Sequence, residues 1–197
     1  MVRRGGLVAN SAGPRSVGPY APEMADPMTQ LPADAVESGA ERPMLEWFLS
    51  YYRAVLARKL EGVSEAGARR MACPPSDLSL IGLVRHMAEV ERVWASRNFT
   101  DGDHRWIFCR DAHPDGHIDG ELHPPPEATV AEALDAYWRE IAEANAIYAT
   151  AELDDIGVGQ DQQHSLRWIL VHLIEEYARH CGHADLLRQA VDGRTGD

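Results

Sequence analysis

Apolar residues recur every three to four positions in four stretches of the chain, a period that predicts α-helices rather than strands. The first stretch runs from Pro43 to Leu60, with Leu45, Phe48, Leu49, Tyr52, Leu56 and Leu60 in helical register. Proline suits a first turn, and Gly62 is placed to end the helix. The second opens after Ser79, an N-cap residue, and runs through LIGLVRHMAEVERVWASRNF to Phe99. The third starts at Thr129 with Glu132 three residues on, the pattern of a capping box, and continues to Ala151. The fourth opens at Ser165, runs to Val191 and is closed by Gly193. No internal repeat and no alternation long enough to build a sheet accompany them. The expected fold is all-α, a four-helix bundle over residues 41–193.

Two segments fall outside this pattern. Residues 1–40 are rich in Gly, Pro, Ser and Ala and lack an apolar period, which predicts a flexible N-terminal extension. Met24 and Met28 offer alternative starts within it. The connection from Thr100 to Ala128 carries Gly102, Pro114, Gly116, Gly120 and the run Pro124-Pro125-Pro126. A connection this long is expected to be functional or partly structured. It holds His104, His113, His117 and His123, which read first as a solvated polar loop and second as a lining for the mouth of a pocket. Trp106 and Phe108 are apolar enough to tuck against the helices.

Composition narrows the function classes. The chain has 197 residues, 45% hydrophobic and 25% charged, values of an ordinary globular domain. Its net charge of -12 argues against a nucleic-acid partner and against an anionic membrane surface, since both require basic patches. No apolar run is long enough to span a membrane, and no apolar segment follows Arg3 and Arg4 as a secretory signal would require. The cysteines Cys73, Cys109 and Cys181 are odd in number and lack CxxC spacing, which fits a reducing cytoplasm.

Candidate chemistry sits in the fourth helix, in EEYARHCGH (175–183). With ~100° per residue, His180 falls inside the apolar arc of Ile169, Leu173, Tyr177, Ala184 and Leu187, and Glu176 borders it. His172 and His183 lie further out, Glu175 faces solvent and Cys181 points away. Glu176 and His180 are four apart, so their side chains stack over one turn and can converge on one ion. A third donor is offered by His86 of the second helix, inside an arc of Leu83, Met87, Val90, Val93 and Trp94. Glu89 and Glu91 fall on or outside the edges of that arc. Two imidazoles and a carboxylate with an open position match catalytic zinc and non-haem iron sites alike. The competing reading is a hydrogen-bonded core histidine beside a solvated Glu/His pair. A di-iron site is disfavoured, because it needs Glu-x-x-His on two helices and position 179 is Arg.

SLIGLVRHMAEVERVW followed by LRWILVHLIEEYARHCGHADLLR resembles the DinB-like superfamily, in particular the actinobacterial branch of mycothiol-dependent maleylpyruvate isomerase and mycothiol S-transferases. The resemblance covers residues 43–191. It implies an up-down-down-up bundle with a long connection between the second and third helices. It also implies a divalent metal, zinc or nickel, held by His86, Glu176 and His180. The function implied is transfer of a small-molecule thiol, mycothiol, to a small electrophile, without a protein nucleophile. Arg179 and His183 lie near enough to touch substrate, and Trp94 and Tyr177 offer a pocket for a bulky thiol. The isomerase proper has a further C-terminal domain, which favours a plain S-transferase here. A homodimer is a further implication of the resemblance. Two alternatives stay open: a non-catalytic stress or ligand-binding protein that keeps the metal, and hydrolysis or oxygen chemistry with iron at the same donors.

Overall fold

The computed structural model describes residues 38–102, 105–109, 120–159 and 163–195. The expectation of an N-terminal extension falls on residues outside these as far as position 37, and His104, His113 and His117 lie outside them too. The described chain is helical: α1 (Glu41–Arg58), α2 (Glu65–Ala68), α3 (Leu80–Arg92), α4 (Val130–Tyr148) and α5 (Leu166–Asp192). A π-helical stretch, Val93–Phe99, continues α3. Among the described residues there is no strand ladder, only an isolated antiparallel bridge between Ile156 and Ser165.

The helix boundaries follow local chemistry. Ser79, Thr129 and Ser165 cap α3, α4 and α5 by accepting from the N–H of Gly82, Glu132 and Trp168. The capping box at Thr129 and Glu132 is complete. Gly193 ends α5 in the left-handed region at φ 79°. α1 stops at Arg58, earlier than Leu60, and Gly62 with φ 67° serves the turn that follows. The short α2, capped by Ser64, has too few residues to show a period.

The second helix departs most from its simple reading. Past Arg92 the regular α-pattern gives way to π geometry. Its last carbonyls turn outward to the 157–159 segment: Val158 N–H donates to Phe99 O and Gly159 N–H to Asn98 O, each at 2.9 Å. Gly159 must be glycine, because a Cβ there would stand 2.6 Å from Arg97 O.

One hydrophobic core joins α1, α3, α4 and α5, with Leu56, Leu83, Met87, Tyr137, Leu173 and Tyr177 fully buried. α3 packs chiefly on α4, α1 on α5, and α3 also on α5. Side by side with this apolar core runs a buried ionic network. Arg53 of α1 donates from Nε and Nη2 to the two oxygens of Glu91 at 2.7 and 2.6 Å, and from Nη1 to Asn145 of α4 at 2.8 Å. Tyr177 of α5 donates to Glu91 at 2.7 Å, and Tyr137 of α4 donates to Arg53 O at 2.9 Å. Arg92 makes a second two-point contact, with Glu140 of α4.

Glu89 and Glu91 therefore correct the sequence reading. Both are buried, at 3% and 0% exposure, rather than at the edge of the helix face. Each is buried because it has partners: Glu91 the Arg53 guanidinium, Glu89 the backbone N–H groups of Ile107, Phe108 and Cys109. With both oxygens paired, Glu91 can leave water at tolerable cost, whereas Glu89 Oε2 is buried without a hydrogen-bond partner among the described residues.

Candidate metal centre

α3 and α5 face one another along a seam, and the seam brings His86, Glu176 and His180 together. One donor atom from each lies within 4.8 Å of the others. The His86 and His180 rings meet edge to face, with centroids 4.9 Å apart. His180 Nε2 is 3.4 Å from Glu176 Oε2. Donors ~2.0–2.2 Å from a tetrahedral ion stand about 3.3 Å apart, so this pair already has the spacing of two ligands on one cation. The third donor, His86, lies within 4.8 Å of both.

The electrostatics suit the same purpose. Burial first, then the nearby His86, His183 and Arg179, push the His180 pKa down to about 4. The imidazole is therefore neutral near pH 7, the form that binds a metal. His183 Nδ1 lies 3.3 Å from His180 Nδ1, on the ring edge opposite Glu176. Arg179 pairs with Glu175 and reaches Glu176 Oε1 at 3.4 Å, so one oxygen of Glu176 faces the donor cluster and the other a guanidinium. The donor set, two imidazoles and one carboxylate at the rim of an apolar core, fits a divalent ion such as zinc.

A second cluster, His172, Glu175 and Glu176, shares one ligand with the first. Arg179 already supplies its positive charge, through Glu175 and Glu176. His172 instead belongs to a ring assembly with His164, Trp168 and Trp94: Trp168 is stacked between His164 and His172, and Trp94 meets all three rings. Trp94 and Tyr177 both take part in packing, Trp94 against these rings and Tyr177 at 0% exposure. Cys181 is buried with its thiol toward Tyr52 O, and burial pushes its pKa up to about 12, as expected of a residue outside the chemistry.

The connection between α3 and α4 contributes residues that sequence reasoning missed. Glu121 Oε1 lies 3.4 Å from His86 Nδ1, and its Oε2 accepts from Cys109 Sγ at 2.8 Å. Burial opposes its charge most strongly, yet contacts with His86 and Cys109 hold the carboxyl below its ordinary pKa. The Cys109 thiol moves the other way, driven far up by burial and by the Glu121 and Glu89 carboxylates. Glu89 is raised by burial against three N–H donors. Phe108 does tuck inward, beneath the Arg85 guanidinium at 3.8 Å, and Trp106 lies under Arg97 at 5.1 Å. His123 pairs with Asp77 at 2.9 Å. No periodicity marks Glu121 in the sequence, because it reaches its partner from a loop.

Fold and site define a class: an all-α protein with a three-donor His/Glu/His cluster set between two helices. A family model described as Mycothiol-S-transferase matches residues 44–193, most of the chain, and the chain belongs to that family. No curated protein matches it significantly. No described helix is long and apolar enough to cross a membrane.

Proposed function

We propose that the chain is a metal-dependent mycothiol S-transferase that joins the thiol of mycothiol to a small electrophilic molecule. The observation that carries this reading is the convergence of His86, Glu176 and His180 on the α3–α5 seam in a chain of this family. The reading takes residues 41–193 as one DinB-like four-helix bundle, up-down-down-up, and a homodimer in the cytoplasm as its working form.

Bound at these three donors, a divalent ion, zinc first and nickel or iron next, lowers the pKa of a coordinated thiol so that the sulfur is nucleophilic near neutral pH. The chain's own residues supply the rest. His180 is held neutral by burial and presents Nε2 beside Glu176 Oε2. Arg179 steadies the far oxygen of Glu176. Tyr177 and Met87, the chain neighbours of Glu176 and His86, are fully buried in the core. Cys109 and Cys181 are poorly suited as nucleophiles, since burial raises the pKa of both thiols.

The test is metal content, by elemental analysis of chelator-free wild type and His180→Ala, followed by a mycothiol–electrophile assay on metal-loaded and stripped protein. The reading expects near-stoichiometric metal in wild type, little in His180→Ala, and turnover that needs both thiol and metal. Bound metal without turnover with any thiol would favour the non-catalytic alternative. No bound metal in wild type would sink the reading.

A further inference from the structure

We infer that Glu121 is a positioning residue that fixes the His86 ring for coordination; the inference rests on the metal reading above. Nδ1 of His86 is taken by Glu121 Oε1, which leaves Nε2 as the nitrogen offered to an ion. A carboxylate on the outer nitrogen of a ligating imidazole sets its tautomer, holds its ring angle and raises its basicity. Glu121 has the burial such a role requires, with a side chain only 10% exposed, and its second oxygen is held by the Cys109 thiol.

The way Glu121 reaches His86 separates this contact from a chance one. A single face of α3, positions 82, 85, 86 and 89, both presents the ligand and docks the loop that orients it. Arg85 donates to Gly120 O and Glu121 O at 3.1 and 3.2 Å, fixing the backbone on either side of the Glu121 Cα. Glu89 Oε1 gathers the N–H groups of Ile107, Phe108 and Cys109, which sets the thiol that holds Glu121 Oε2. Gly82 lets the loop come close, because a Cβ there would lie 2.5 Å from Leu122 O. Loop attachment thus rests on backbone groups and on Arg85 and Glu89. Among the described residues the Glu121 carboxylate meets Cys109, His86 and its own backbone N–H.

This division of labour makes the inference testable. Zinc affinity would be measured by competition with a chromophoric chelator for wild type, Glu121→Gln, Glu121→Ala and His180→Ala. The tautomer of His86 would be read in the same metal-free proteins by nitrogen NMR of the imidazoles. Glu121→Ala is expected to weaken zinc binding by roughly 10–100-fold, with Glu121→Gln in between, because the amide oxygen still accepts from Nδ1–H. The His86 ring should leave the Nδ1–H tautomer in Glu121→Ala while helicity and thermal midpoint stay close to wild type. A purely structural role would lower the midpoint and leave the tautomer alone. Wild-type zinc affinity in Glu121→Ala, with binding lost in His180→Ala, would overturn this inference and spare the metal reading. No zinc binding by wild type would overturn both.

Discussion

Replacing Glu91 with alanine should lower folding stability by about 3–5 kcal/mol, the range for removing one member of a buried ion pair. The structure gives the reasons for the upper part of that range. Both side chains are almost wholly out of water, at 3% for Arg53 and 0% for Glu91. Three hydrogen bonds end on the lost carboxylate, two from Arg53 and one from Tyr177. What remains is a guanidinium whose only other side-chain partner among the described residues is the neutral Asn145. In a chain of this size ~2–4 °C of midpoint accompanies each kcal/mol, so a fall of roughly 10 °C is expected. Urea unfolding followed by circular dichroism would give the midpoint and slope for wild type, Glu91→Ala, Arg53→Met and the double variant. The double variant should be less damaged than the sum of the two singles, since it leaves no charge unpaired. A loss below about 1 kcal/mol in Glu91→Ala, at unchanged slope, would refute the reasoning. The pair would then behave as solvated despite its burial.

Other outcomes follow from the same features. In metal-free protein, unfolded His180 takes up a proton near 6.5 and the folded form only near 4. The unfolded chain therefore binds more protons across that window, and stability is full above about 6.5 and falls as the pH drops toward 4. The slope of urea midpoint against pH in that window should be shallower for His180→Phe than for wild type, and equal slopes would count against the burial of a neutral ring. Gly82→Ala should destabilise by about 1–3 kcal/mol, the usual cost of forcing atoms into filled space, and should weaken zinc binding as the loop carrying Glu121 is pushed outward. An unchanged midpoint and affinity would show that the Leu122 backbone can yield.

The parts of the fold that were legible in the sequence are those governed by local rules. Hydroxyl caps at Ser79, Thr129 and Ser165 and the glycine stop at Gly193 mark helix ends within a residue or two. The clustering of His86, Glu176 and His180 was legible because all three sit on helices, where spacing translates into direction. What stayed hidden depends on partners distant in the chain. Glu89 and Glu91 look like surface acids on a wheel, and only Arg53 and the 107–109 backbone make their burial tolerable. The end of the π stretch after Arg92 likewise meets a distant partner, the 157–159 segment some sixty residues on, which takes up its last carbonyls. Glu121 arrives from a loop, where no period connects position to direction.

Within two turns of α3, Arg85, His86, Glu89, Glu91 and Arg92 each face a different counterpart: the 120–121 carbonyls, the α5 donors, the 107–109 amides, Arg53 with Tyr177, and Glu140. Apolar side chains on a helix are interchangeable enough to tolerate a slide or a small rotation. These five are not, since a one-residue slip turns the helix by ~100° and would break every one of them together. The apolar face selects which helices α3 packs against, while its polar residues act as a key with five teeth that admits one angular setting. A candidate donor such as His86, placed on so closely indexed a helix, has a defined angle set by the fold itself.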